Sequence, residues 1–362
     1  MKEQLEMRLN PQMVTLAREL RELTQEQLAD RVGVGQAKIA KLEGGLQPDV
    51  SDDLAERLAF ALDMPIGFFQ QVGDLVGVGS SAYFYRKRAD LSARDRKRIH
   101  ALINLLRINL GKMLNSIDVE ARRPLPQFDV EDYGNSPERV AQAIRQLWNM
   151  PDGPVANLTT LIESAGVIIV PVDFGTQSMD GTSIRLADMP PLIFINASLS
   201  GDRWRFTLAH ELGHLIMHDV PHEQMEDEAD SFAAEFLMPE ADMRPLFTRL
   251  GVIRLEDLAK LKPFWRTSMA SLLKRAGDLG FLSASGRKGL WIAYRKTCVP
   301  EPNAFEQELI RTYAGITLYF TESLEYTCAD MRSLLQISER DVDRLYGFVG
   351  RKEKVGPVLR VV

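Results

Sequence analysis

The residues best suited to chemistry lie near the middle of the chain, in "FTLAHELGHLIMHD", Phe206 to Asp219. On a helix His210 and His214, four residues apart, share a face, so both imidazoles can ligate one ion. Glu211, one residue round from the first ligand, can reach a water at that ion and act as general base. His-Glu-x-x-His is the commonest signature of a zinc-dependent peptidase, and is short enough to arise by chance. Its flanks add weight, because "FTLA" before it and "LIMH" after it are apolar enough to bury the helix.

A catalytic zinc needs a third protein ligand and an open position. One class of such enzymes takes a third His six residues after the second, but position 220 is valine. His218 has helical spacing, yet His210, His214 and His218 on one straight helix would span about 12 Å, too far for one ion. His218 is therefore read as a structural residue, or one that supports a ligand from behind. With a bend at Asp219 to Pro221, two antiparallel helices bring Glu226 opposite His214. The second helix, in "HEQMEDEADSFAAEFLM", has Ala229, Phe232, Ala233 and Phe236 as its buried stripe. Glu226 falls on the edge of that stripe, about 60° from Ala229, whereas Glu228 points about 100° to the other side. Glu226 is the expected third ligand. Asp230, one turn on, is expected to hydrogen-bond a ligating imidazole and fix its tautomer. Glu223, Asp227 and Glu228 read as a solvated face. No residue stands out as an oxyanion donor, since Arg203, Arg205 and Tyr294 are all better explained as structural.

The run "DRWRFTLAHELGHLIMH" followed by "EDEADSFAAEFLMP" resembles the ImmA/IrrE family of zinc metallopeptidases. The similarity extends from about Glu138 to beyond Leu282 and includes "FWRTSMASLLKRAGDLG". The resemblance implies limited proteolysis of repressor-type proteins, relieving repression after stress or mobile-element induction. An alternative stays open: a transcription regulator or antitoxin-like protein whose metal site is structural or sensory.

The elements that must position these groups read as mainly α with a small β-sheet (α+β). "VIIVPVDF" and "PLIFINAS" are short β-rich runs bounded by Gly or Pro, and the second is expected to offer an edge to an extended substrate. "ERVAQAIRQLWNM" and "NLTTLIESAG" are helical, and "GLWIAYR" reads as a strand within an otherwise helical C-terminal part.

At the front, residues 11–69 give five short helices. In "TQEQLADRVGVGQAKIAKLEGG", Thr24 and Gln27 form a capping box and Gly33 stops the helix. Leu28, Ala29, Val32, Ile39 and Leu42 hold two helices at an angle, leaving Gln36, Ala37, Lys38 and Lys41 outward for a major groove. Gln25 is expected to meet a phosphate at its helix N-terminus. Over about 60 residues this resembles the Xre/Cro/C1 helix-turn-helix domains, with Gly35 replacing the usual Ser or Thr cap. The resemblance implies an operator in double-stranded DNA and binding as a homodimer. The other reading of these helices is a protein-binding module.

Four regions follow: a five-helix DNA-binding domain at 1–71, a helical linker or dimerisation region at 72–134, a zincin-like peptidase domain at 135–282, and a region of unknown role at 283–362. The glycine-rich "VGDLVGVGSS" reads as a hinge.

Composition bounds the rest. The chain has 362 residues, net charge -6 and two isolated cysteines, which excludes a disulfide framework or a thiolate zinc site. Residues 1–71 carry eight Lys or Arg against twelve Asp or Glu, so phosphate contacts must come from few residues. Residues 86–98 hold seven basic residues and two Asp, a solvated helix face or a second phosphate-binding run. No apolar run approaches the roughly 18 residues of a membrane span, and the N-terminus lacks a signal-peptide core, so a cytoplasmic protein is expected.

Overall fold

The computed structural model describes residues 6–72, 75, 91–347 and 360–361. It is 58% helical, with seventeen α-helices and sheets of two and three strands among the described residues, a mainly α fold with a little β. The chain separates into two compact units, residues 1–78, 84–118 and 314–362, and residues 79–83 with 119–313. Most of the glycine-rich hinge and the first part of the basic run lie outside the described residues.

The first unit opens with β1 (Glu6–Arg8), α1 (Pro11–Leu20), α2 (Gln25–Val32), α3 (Gln36–Glu43), β2 (Asp49–Ser51), α4 (Asp52–Leu62) and α5 (Ile66–Phe69). Local chemistry sets each boundary. The Asn10 side chain accepts from Gln12 N and Pro11 opens α1, while Thr24 and Gln27 complete a capping box at α2. Gly33, at φ +67°, turns α2 into α3 in a conformation that disfavours a side chain. Leu28, Val32, Ile39 and Leu42 are buried. Arg18 crosses this core, its Nε 2.6 Å from Glu43 Oε1 and its Nη2 2.8 Å from Oε2, and so ties α1 to α3. The pair is almost fully buried and bidentate, the geometry in which removing one partner strands a charge.

The same unit contains α6 (Ala93–Leu114) and, near the C-terminus, α15 (Thr312–Leu318, shared with the second unit), α16 (Cys328–Leu335) and α17 (Glu339–Tyr346). β3 (Ile117–Asp118) pairs antiparallel with β7 (Arg360–Val361). The described end of the basic run pairs with acidic side chains while staying largely exposed: Arg94 and Arg98 meet Glu22 at 2.8 and 2.9 Å, Lys97 lies 3.8 Å from Glu19, and only Arg98 is mostly buried. These cations dock α6 against α1.

The second unit is built on a three-stranded sheet of order β4 (Ile168–Val172), β6 (Met189–Asn196), β5 (Gly181–Leu186). β4 runs parallel to β6 and β5 antiparallel to it. "PLIFINAS" therefore forms the central strand, and its expected role as an exposed edge is corrected: the edge next to the motif helix is β5. The reason is topological, since β6 is hydrogen-bonded on both sides. Packed with the sheet are α7 (Pro137–Leu147), α8 (Leu158–Glu163), α9 (Gly201–Met217), α10 (Met225–Leu237), α11 (Glu240–Leu250), α12 (Leu255–Trp265), α13 (Met269–Asp278) and α14 (Ala284–Thr297). Their shared core includes Ile169, Ile193, Trp204, Leu208, Phe232 and Phe236.

"GLWIAYR" lies within α14, correcting the expected strand. Ser283 caps the helix, and Leu290, Trp291, Tyr294 and Cys298 pack on the core at helical spacing. Residues 283–313 belong to this compact unit. Glu301 accepts from Lys262 Nζ at 2.7 Å, Tyr294 Oη at 2.7 Å and Met269 N at 2.9 Å. Glu308 pairs with the fully buried Arg205. No described helix is long and apolar enough to cross a membrane.

Candidate metal centre

α9 carries His210, Glu211 and His214 on a helix that is buried along most of its length. Two glycines let it approach its neighbours. A Cβ on Gly213 would sit 3.0 Å from the Phe232 ring, so the glycine sets how closely α9 packs on α10. A Cβ on Gly181 of β5 would meet Thr207 at 2.9 Å and the Phe194 carbonyl oxygen at 3.1 Å. That second glycine brings the edge strand down onto the motif.

α9 and α10 run antiparallel. His210 meets Asp230, and His214, one turn later, meets Glu226, one turn earlier. Ala229, Phe232, Ala233 and Phe236 are all buried against this arrangement. Three donor atoms converge: His210 Nε2 and His214 Nε2 are 3.0 Å apart, Glu226 Oε2 is 3.5 Å from the first, and Glu226 Oε1 is 3.4 Å from the second. Donors bound tetrahedrally at 2.0–2.1 Å lie about 3.3 Å from one another, so these separations match a face of a zinc tetrahedron. Glu226 Oε1 is buried with no hydrogen-bond partner, and the two Nε2 atoms point at each other. An ion between them satisfies all three.

The electrostatics agree with a cation site. Burial pulls the His210 imidazolium toward neutrality, but hydrogen bonds to Asp230 and Glu226 and the charge of Glu211 outweigh it, pushing its pKa up to about 10. Burial drives His214 down to about 4 against the opposing pull of Glu226. Burial opposes ionisation of Glu226, yet its contacts with the two imidazoles hold it well below the usual carboxylate range. A bound divalent ion takes the place of the proton that otherwise holds this set together.

The surrounding shell contains expected and unexpected members. Asp230 Oδ1 lies 3.0 Å from His210 Nδ1, and its other oxygen accepts from Lys274 Nζ at 3.0 Å. Burial acts to raise the Asp230 pKa, but His210 and Lys274 lower it further. His218, immediately after α9, sets its Nδ1 2.8 Å from His214 Nδ1 and its Nε2 3.0 Å from Glu228 Oε2. Glu228 is not the solvated residue expected from its helical angle. The chain between α9 and α10 folds back over it, bringing His222 Nε2 to 3.7 Å. Ser183 of β5 donates to Glu211 Oε2 at 2.8 Å in a buried contact. Neither Ser183 nor Lys274 carries a sequence signal, because each arrives from an element whose packing the motif does not encode. Arg203 pairs with Asp180, Arg205 with Glu308, and Tyr294 with Glu301. All three are structural.

In the first unit, Gln36, Ala37, Lys38 and Lys41 are exposed on α3. Gln25 is half-buried and its amide is engaged at home. It donates to Glu43 Oε2 at 2.8 Å and accepts from Gln36 Nε2 at 2.9 Å. Gln25 thus orients Gln36 and is itself oriented by the Arg18–Glu43 pair.

Residues 162–276 match the family model described as the IrrE N-terminal-like domain, of the M78 peptidases, and residues 13–66 match a helix-turn-helix domain. The chain joins a helix-turn-helix domain to an IrrE-like peptidase domain. The IrrE-like match runs from α8 into α13 and takes in the whole converging triad with Ser183, Asp230 and Lys274. The helix-turn-helix domain suggests DNA-binding regulation, and the M78 domain a protease-type function on a protein substrate. No curated protein gives a significant match to the chain.

Proposed function

We propose that the protein is a DNA-binding repressor with a zinc-dependent endopeptidase centre, which cleaves itself or a partner regulator to relieve repression. The observation that carries this reading is the triad of His210, His214 and Glu226, whose donor spacing suits a tetrahedral ion, beside Glu211 and beneath an edge strand. Held there, zinc supplies Lewis acidity toward a carbonyl and toward water. Glu211 takes a proton from the attacking water and passes it to the leaving amine. The Ser183 hydroxyl fixes one Glu211 oxygen, and Asp230, anchored by Lys274, holds the His210 ring by its Nδ1. β5 aligns an extended segment of substrate by strand addition. On the DNA side, α3 enters the major groove of an operator, with Gln36, Ala37, Lys38 and Lys41 toward the bases and phosphates, and a homodimer spans two half-sites in the cytoplasm.

The test is Glu211→Gln. It should leave metal and operator binding intact while abolishing cleavage and derepression. Derepression that survives in this variant overturns the peptidase reading. A second reading, a structural or sensory metal, is favoured by one observation: Glu211 is 3% exposed and His214 2%, so the base is nearly closed to solvent. Under that reading, metal removal changes operator binding and Glu211→Gln does not.

A further inference from the structure

His218, His222 and Glu228 form a second group whose ligand atoms lie within 4.8 Å of one another, and no role in the proposed reaction needs all three. Glu228 Oε2 is 3.0 Å from His218 Nε2 and 3.7 Å from His222 Nε2, and the two rings are 5.2 Å apart. These separations bracket the roughly 3.3 Å between donors around a tetrahedral ion. The His218 side chain is fully buried, that of His222 41% exposed and that of Glu228 24% exposed, so the group has a closed floor and an open mouth. The mouth faces a cavity of about 610 Å³ lined by Asp129, Glu131, Asp219, His222 and Glu228 among others, with no Lys or Arg in its wall. Arg185 offsets Asp219, but acidic groups predominate in this cleft, and a predominance of one sign concentrates counter-ions. Here it draws in cations.

We propose that His218, His222 and Glu228 form an outer binding site for a zinc-like divalent transition metal, filled through the acidic cavity and coupled negatively to the inner triad. The donors are two imidazoles and a carboxylate, a set that suits Zn²⁺, Co²⁺ or Ni²⁺ over Mg²⁺ or Ca²⁺. The outer site stands on its own geometry, and its coupling rests on the inner triad being a metal site.

Hydrogen accounting gives the sign of the coupling. When His214 Nε2 ligates the inner ion, its Nδ1 carries the hydrogen and donates to His218 Nδ1 across 2.8 Å. The single hydrogen of neutral His218 then sits on Nε2, directed at Glu228. In this state His218 and Glu228 simply orient His214. An outer ion must take His218 Nε2, and the hydrogen there must leave or move to Nδ1, where it faces the His214 N–H. Each site therefore weakens the other.

The experiment is a Co²⁺ titration of the metal-stripped full chain, read by equilibrium dialysis and d–d absorption. Wild type should bind two equivalents, the second only at higher free Co²⁺. His222→Ala should lose the weaker equivalent and keep the tighter one unchanged, while Glu228→Gln should lose the weaker equivalent and hold the tighter one less firmly, because His218 then orients His214 less well. His210→Ala should lose the tight equivalent and fill the outer site at lower free Co²⁺ than wild type does. A single equivalent in wild type, or two retained in both His222→Ala and Glu228→Gln, overturns the proposal. A tight equivalent that survives in His210→Ala overturns the inner assignment instead, while the loss caused by the other two variants still upholds the outer one.

Discussion

The two functional regions of this chain are made in opposite ways. Around the inner triad, side chains from α9, α10, α13 and β5 converge in a largely buried volume, where Glu226 Oε1 has no hydrogen-bond partner and two imidazole nitrogens face each other at a spacing that suits a metal ion. On α3, Gln36, Ala37, Lys38 and Lys41 stand exposed, with Gln36 hydrogen-bonded to Gln25. A centre that works on an ion must be finished before the ion arrives. A surface proposed to read a groove needs donors free to turn outward, and here Lys38 and Lys41 are exposed while Gln36 is steadied by Gln25, the end of the linked series Arg18, Glu43 and Gln25.

That contrast predicts how each region breaks. The largest effect is expected from His214→Ala, which removes the most buried ligand: the tightly held equivalent of metal should be lost, read by elemental analysis after dialysis at low free metal, with operator binding retained. Next is Arg18→Ala, which strands Glu43 in the core and should cost about 3–5 kcal/mol in denaturant unfolding of the first unit. Its effect on metal content should be nil, and a loss there would show that the two regions are not separable. Asp230→Asn keeps the shape but weakens the anchor on His210 and should reduce metal affinity about 10–100-fold in a chelator competition. Gly181→Ala presses β5 away from α9. It should destabilise the second unit by about 1–3 kcal/mol and slow cleavage without removing metal. Smallest is the double change Lys38→Ala with Lys41→Ala, expected to weaken operator binding and lower the salt slope by about two. Undiminished binding would mean that α3 is not the groove helix.

The difference between the regions also governs what could be read from the sequence. The convergence of His210, His214 and Glu226 is legible because helical periodicity turns spacing into direction, and a short bend returns the chain on itself. Asp230 followed from the same period. Ser183 and Lys274 were not legible, since tertiary packing alone brings them in. Glu228 misled because the helical angle describes a helix in isolation, while residues 218–224 wrap the end of α10 and convert an outward position into a contact with His218. "GLWIAYR" misled in a related way: Trp291 and Tyr294 suit a strand by type, yet Leu290, Trp291 and Tyr294 make one face of a helix. Gln25 lies beside α3 as expected, but Glu43 accepts a hydrogen bond from its amide, a contact set by the buried Arg18. Sequence spacing reported directions within an element. Partners across elements came only from the fold.

The proposed peptidase chemistry requires that His210, His214 and Glu226 hold a metal for Glu211 to use. The most direct test incubates zinc-loaded wild-type protein and Glu211→Gln side by side, alone and with the operator-bound form, and reads discrete fragments by mass spectrometry. Wild type should give a chelator-sensitive fragment, formed at least about 100-fold more slowly in Glu211→Gln, with equal zinc in both. Equal fragment yields from the two proteins at equal zinc content would contradict it.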